Sequence, residues 1–244
     1  MNADLTIIAT RRPDLLVRML DSFSRQVFPQ VSIENVIVNI DPVFGTVEDQ
    51  EASVSILRRR FPQVEIFAPE RPGFAAGIAR VWRATTADYV LHTEEDWFAE
   101  RDAGDFTAPF LDRPKLAQVV FYIPFQQEPL GIRRKVRCRT IAGLPLPSFM
   151  GSPTRHIDTS PSLMRGVFVR KCAELMNPAL DPERQFCGGL NVPLQRYAAK
   201  FDGYVHGPDG EHVLSDMGRE WLRRRGVKKQ IVNGVVSWPT VPAD

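Results

Sequence analysis

Three consecutive carboxylates, Glu94-Glu95-Asp96, stand directly behind the apolar run Tyr89-Val90-Leu91-His92 and ahead of Trp97. In an extended chain, alternation puts Glu94 and Asp96 on one side and Glu95 on the other. Like charges converging on one side repel unless a cation lies between them. The pattern therefore suits a hard divalent ion, Mg2+ or Mn2+, held by one or two carboxylates and completed by substrate phosphates. A bare acidic triplet is otherwise a solvated turn, so its place in the fold decides its meaning. Other polar groups also follow apolar runs: Thr10-Arg11-Arg12, Asp41, and Glu70-Arg71-Pro72-Gly73. The cations suit a diphosphate, and Asp41 suits a nucleobase or ribose. Later in the chain, His212 and Asp216 stand four apart and would share a face if extended. Arg219, between Gly218 and Trp221, offers the planar fork that fits phosphate oxygens.

These residues need a scaffold, and the first hundred positions supply one. Apolar runs at Leu5 to Thr10, Val36 to Ile40, Val64 to Ala68 and Tyr89 to His92 read as strands. Between them, helices are predicted from Pro13-Asp14, over Glu48 to Phe61, and from Pro72-Gly73-Phe74. Strand and helix alternating in this way predict an α/β fold with a mostly parallel central sheet and helices on both faces. Ligands of such sheets bind beyond the carboxyl ends of the strands, where the polar groups named above fall. From about residue 123 the alternation fails. Pro124 to Pro161 reads as long loops with one strand at most, followed by helices after Val167 and near Gln185 to Phe201. A strand at Val213 to Met217 and a basic helix at Glu220 to Arg225 come next. Asn233-Gly234, between β-type residues in Ile231 to Trp238, predicts a tight hairpin.

The chain has 244 residues, 43% hydrophobic and 25% charged, enough for one large domain or two small ones. No apolar run approaches the roughly 18 residues of a membrane span, and Met1 to Asp4 lead into a strand without a signal-peptide pattern. Three cysteines, Cys138, Cys172 and Cys187, lack C-x-x-C spacing and read as packing residues in a reducing compartment. The expectation is a soluble, cytoplasmic protein. Charge is uneven: residues 1–122 hold 13 Lys and Arg against 18 Asp and Glu, and residues 123–244 hold 18 against 11. Two runs carry the excess, Arg133, Arg134, Lys135, Arg137 and Arg139, and then Arg223, Arg224, Arg225, Lys228 and Lys229. Such runs are solvated faces or contacts for a polyanion such as DNA or an acidic polysaccharide. There is no G-x-G-x-x-G and no G-x-x-x-x-G-K, which excludes dinucleotide and P-loop sites.

Leu5 to Pro13, Asp41, the Arg71-Pro72-Gly73 to Arg80 segment and Leu91 to Trp97 together resemble, in order, the GT-A nucleotide-sugar glycosyltransferases of the family 2 type. The resemblance covers residues 1 to about 100. It implies a nucleotide-sugar donor, UDP-linked by family frequency, with nucleobase and ribose held at Thr10, Arg11, Arg12 and Asp41. It further implies a diphosphate bridged through Mn2+ or Mg2+ to Asp96. The acidic triplet matches the family's D-x-D motif with Glu94 in place of the first Asp. Glu is one methylene longer, which puts Glu94 between metal ligation and contact with the ribose or a metal-bound water. Arg71, Gly73, Glu95 and Arg219 join the expected donor site, and His212 and Asp216 the expected metal site. In the family a carboxylate base late in the chain, ahead of a helix, deprotonates the acceptor hydroxyl. Glu183, in Asp181 to Phe186, occupies such a place, with Asp209 and Glu211 as competitors, and a carboxylate base implies inversion. The expected layout is one compact domain, with residues 1–122 binding nucleotide sugar and metal and residues 123–244 binding the acceptor and carrying the base. The acceptor is either a polyanion, such as DNA with hydroxymethylated bases, or a bacterial surface polysaccharide. A non-catalytic nucleotide-sugar-binding protein is the alternative of another class.

Overall fold

Asn2–Ala9 is buried from its second residue onward, and its alternation sorts side chains to two faces. Leu5, Ile7 and Ala9 enter one apolar cluster and Ile8 enters the other. This strand, β1, lies inside an eight-stranded sheet in a computed structural model that describes residues 1–124, 129–133, 137–141, 144–147, 152–153, 157–187, 189–228 and 230–237. Helix α1 (Pro13–Gln26) has Pro at its start and buries Leu16, Met19, Leu20 and Phe23 on the Leu5 face. Strand β2 (Ser32–Ile40) runs parallel to β1, and α2 (Val47–Arg60) opens with a capping box between Thr46 and Asp49. Strand β3 (Glu65–Phe67) closes that edge of the sheet. Helix α3 (Phe74–Ala84) packs on the opposite face through Ile78, Val81 and Trp82. Strand β4 (Tyr89–Glu94) then returns parallel to β1, so that β1, β2 and β4 end side by side.

The described residues of the second half are more ordered than the loss of alternation suggests. After β5 (Trp97–Ala99) and β6 (Leu116–Phe121), which still belong to the first half, come β7 (Gly131–Arg133), β8 (Arg137–Ile141), β9 (Leu144–Pro147) and β10 (Ser152–Pro153). The segment expected to be loops with one strand thus shows, among its described residues, four short strands, three of which form a separate small sheet in the order β10-β8-β9. Pro145, Pro147 and Pro153 hide this sheet from a sequence reading, because proline argues against a central strand but is accepted on edge strands such as β9 and β10. Strand β11 (Ser162–Arg165) is antiparallel to both β4 and β6 and joins them. Helices α4 (Gly166–Leu175), α5 (Pro182–Gln185) and α6 (Val192–Ala198) precede β12 (Asp202–His206), which pairs parallel with β6. The full order is β3-β2-β1-β4-β11-β6-β12-β7, a mixed, mostly parallel sheet with helices on both faces.

Strand β13 (Leu214–Asp216) pairs with β5 and leads straight into α7 (Met217–Arg224). The chain then forms a hairpin from β14 (Gln230–Val232) and β15 (Val235–Ser237), with Asn233 and Gly234 at φ 52° and 81° in the turn, as the Asn-Gly pair predicts. No helix among the described residues is long and apolar enough to cross a membrane.

Candidate active site

The ends of β1, β2 and β4 enclose a cavity of about 360 Å³ whose lining includes Thr10, Arg12, Asp41, Gly73, Glu94, Glu95 and Asp96. A second cavity of about 370 Å³ shares Phe74, Glu94, Asp96 and Leu222 with it and adds Trp97, Glu183, Asp216, Gly218 and Arg219. The two form adjoining halves of one cleft, with the acidic turn as their common wall.

Asp41 is buried and held rigidly. One carboxylate oxygen accepts the backbone N–H of Gly73 at 2.9 Å, at the start of α3, and the other accepts Asn39 Nδ2 at 2.7 Å. Arg80 of α3 in turn donates to the Asn39 side-chain oxygen. Helix and strand lie so close here that a Cβ on Gly77 would sit 2.8 Å from Asn39 Nδ2. Asn39, Gly77 and Arg80 therefore support the Asp41 end of the cavity.

The triplet splits as alternation requires. Glu95 turns inward, 2% exposed, and its Oε1 accepts the Thr10 backbone N–H at 3.1 Å, the Thr10 hydroxyl at 2.7 Å, and Arg12 Nε and Nη2 at 2.9 and 2.6 Å. Arg12 Nη2 also donates to Asp96 Oδ2 at 2.9 Å. Burial opposes a charge on Arg12, but Glu95 and then Asp96 outweigh it and raise the guanidinium's pKa. Burial lifts the Glu95 carboxyl above the usual carboxylate range, with Arg12 pulling the other way. The guanidinium carbon of Arg12 lies 5.2 Å from the Phe44 ring centre and 5.1 Å from that of Trp221 on α7. Its Nη1 is buried without a hydrogen-bond partner. Glu95 and Arg12 thus tie the turns after β1 and β4 together, while Glu94 and Asp96 face the cleft.

Asp216 caps α7, accepting the Arg219 backbone N–H at 3.0 Å and Arg219 Nε at 2.8 Å. Burial and then the charge of Asp96 raise its carboxyl, against the pull of Arg219. A cation would relieve that mutual repulsion, and the hard oxygen donors of Glu94, Asp96 and Asp216 fit Mg2+ or Mn2+. Among the described residues no three side chains are gathered as a self-sufficient metal cluster. The fit is therefore to an ion that substrate phosphates complete. Glu183 reaches the second cavity from α5, which Pro182 starts and Asp181 caps. Buried Gln185 anchors that short helix, accepting the Asn177 N–H and donating to the Asn177 and Leu180 carbonyls.

Other expected site residues lie elsewhere. His212 packs against Tyr122, ring centres 4.6 Å apart and tilted by 36°, and lines neither cavity; β13 begins only at Leu214 and the shared face with Asp216 does not form. Asp209 is exposed in a 3-10 turn at φ 56°, and exposed Glu211 pairs with Arg101. Arg11 turns toward α2 and donates to Gln50 at 3.1 Å, and Arg71 is exposed beside Pro72. Of the basic runs, Arg133 is 7% exposed and paired with Asp158 at 3.1 Å, while Arg223 and Arg224 both pair with Glu220. Arg137 and Arg139 fall on β8, and Arg134, Lys135 and Lys229 lie outside the described residues. Cys172 is buried and unpaired in α4, as a packing residue would be.

A mixed sheet with a cleft and an acidic turn at the ends of its parallel strands is the arrangement of the GT-A fold. Solved structures share it: S. aureus TarS 1-349 matches with a TM-score of 0.55 at 13% identity, over 90% of this chain and 61% of that one. The mannosyltransferase PcManGT from Pyrobaculum calidifontis, in complex with GDP-Man and Mn2+, matches at 0.53 and 13%, over 93% and 62%. GalNAc-T7 with UDP, GalNAc and Mn2+ matches at 0.51 and 11%, over 85% and 44%. The chain spans less than two thirds of the length of each. No protein-family model and no curated protein sequence matches it.

Proposed function

We propose that this protein is a metal-dependent glycosyltransferase that moves a sugar from a nucleoside diphosphate, UDP in the first instance, to an acceptor hydroxyl. The observation that carries the reading is the shared acidic wall: Glu94 and Asp96 border both halves of a cleft that has Asp41 on one side and Glu183 on the other. In this reading the first half takes the donor. Asp41 accepts from the nucleobase or ribose, and Arg12 Nη1, a buried donor with no partner, is available to the diphosphate. Asp96, with Glu94 and Asp216, would hold Mn2+ or Mg2+, which supplies neutralisation of diphosphate charge. Support for a nucleotide and Mn2+ in this fold comes from PcManGT and GalNAc-T7.

Glu183 is the proposed base. A carboxylate across the cleft from the donor can take the proton of an acceptor hydroxyl as that oxygen attacks the anomeric carbon on the face opposite the departing nucleoside diphosphate, a single displacement that inverts the centre. Among the described residues of the basic runs, Arg133 is turned inward on Asp158, and Arg223 and Arg224 share Glu220, which favours a carbohydrate hydroxyl over DNA as the acceptor.

The test is incubation with a panel of nucleotide sugars, Mn2+, and either simple glycosides or duplex DNA carrying hydroxymethylcytosine. Release of nucleoside diphosphate with mass gain on a glycoside is expected, and it should be lost in Glu183→Gln while nucleotide binding persists. Mass gain on DNA alone would replace the acceptor assignment. Nucleotide binding with no turnover of any donor would leave a binding protein.

A further inference from the structure

Helix α7 begins where the acidic turn ends. The backbone N–H of Met217 donates to the Asp96 carbonyl at 2.8 Å, and Asp216 pairs with Trp97 across β13 and β5. Gly218 follows, buried, in the first turn of the helix. Its φ is not positive, so the backbone does not ask for glycine, and glycine weakens a helix relative to alanine. The need is for space. A Cβ at this position would overlap the Asp96 carboxylate, lying 2.8 Å from its Cγ and 3.1 Å from its Cβ. Asp96 Oδ2, one of the atoms that Cβ would meet, is the oxygen held by Arg12 at 2.9 Å. Arg12 itself lies against Trp221 of the same helix.

We infer that Gly218 is a positioning residue for Asp96. The absence of a side chain lets α7 close on the turn, so that the helix and Arg12 together fix the carboxylate in one orientation with Oδ1 outside these contacts. A methyl group at residue 218 cannot be absorbed by a small swing of the carboxylate tip, since Asp96 Cγ and Cβ are also in the way. The carboxylate must leave Arg12, or α7 must lift. The inference rests on the reading of Asp96 as the metal ligand, and the test separates the two.

The experiment is a thermal and metal-binding cycle over wild type, Gly218→Ala, Asp96→Ala and the double variant. Mn2+ binding is read from the electron paramagnetic resonance of free Mn2+ in the presence of UDP, and Tm from circular dichroism. Gly218→Ala is expected to lower Tm although alanine is the better helix former, and to weaken Mn2+ binding by about tenfold or more, as loss of a supporting contact to a metal ligand does. In the Asp96→Ala background Oδ2 and Cγ are gone and only the Cβ, 3.1 Å away, remains, so the same substitution should lower Tm far less or raise it. Should Gly218→Ala not fold while the double variant does, the conclusion is the same. Equal Tm increments in both backgrounds, unchanged Mn2+ binding in Gly218→Ala, or a double variant that also fails to fold, would overturn it. If wild type binds no Mn2+, the metal assignment fails, and the Tm cycle still decides whether Gly218 accommodates Asp96.

Discussion

Arg12→Met tests what the buried ion pair contributes. The substitution keeps a long side chain beside Phe44 and Trp221 but removes the cation, leaving Glu95, 2% exposed, with only the Thr10 N–H and hydroxyl as donors. Removing one partner of a buried pair costs about 3–5 kcal/mol, because the other charge stays behind uncompensated. Two cation–π contacts of roughly 0.5–1 kcal/mol each go with it, partly replaced by thioether packing. A loss of about 4 kcal/mol at pH ~8 is expected, a large part of the ~5–15 kcal/mol typical of a folded chain. The pH dependence has a definite sign. Without Arg12, only the Thr10 hydrogen bonds offset the upward push of burial on Glu95, so its carboxyl titrates still further above its unfolded value. Between those two pH values the native variant holds more protons than the unfolded chain, so it gains stability relative to wild type as pH falls. Urea unfolding of both proteins at pH ~8 and ~5.5 reads the difference directly. Glu95→Gln added to Arg12→Met should recover most of the loss. A cost below ~1 kcal/mol at pH ~8, set against the ~3–5 expected for breaking a buried pair, or a gap that widens in acid, would refute the argument.

Two further outcomes are expected. His92 is fully buried, accepts the Thr6 hydroxyl and the Trp82 indole N–H at Nδ1, and is held neutral by burial with its pKa lowered to about 3. The unfolded chain protonates below pH ~6.5 while the native one does not, so stability should fall from that pH toward ~3 by up to ~1.4 kcal/mol per unit. His92→Gln should flatten that limb in urea titrations across the range. Asp96→Ala should abolish Mn2+-dependent donor turnover, and Glu94→Ala should reduce it severely but less completely. Turnover that survives in Asp96→Ala in the presence of a chelator would remove the metal from the mechanism.

The half of the cleft lined by Asp41 was legible in the sequence because its parts sit at the ends of long, buried, parallel strands. β1, β2 and β4 announce themselves by apolar runs, and polar residues just past them must be near one another. Alternation alone also separated Glu95 from Glu94 and Asp96. What escaped depends on contacts between distant positions. Asn39 looks like a polar interruption in a strand until Arg80 and Gly77 are seen against it. Gly218 looks like a poor helix residue until Asp96 is seen above it. Gln185, which steadies Glu183, gives no local signal. In the second half, the four-residue β11 and the three-residue β13 are too short for periodicity to define. His212, expected to flank a strand from Val213 and to share a face with Asp216, instead stands two residues ahead of β13.

The antiparallel placement of β11 has a consequence for how the molecule is made. β3, β2, β1 and β4 are joined by successive right-sized crossovers and depend on contacts that the first hundred residues can supply. The neighbour of β4 on its other side is different: His92 pairs with Ser162, and β6 reaches the sheet only through that same strand. During synthesis, the half that carries Asp41 and the acidic turn emerges with the β4 edge open, a row of backbone donors and acceptors with no partner yet made. That interval is the stage at which pairing with another nascent chain competes with completion of the sheet. The seam beside the acidic turn thus waits for Ser162–Arg165 to be made.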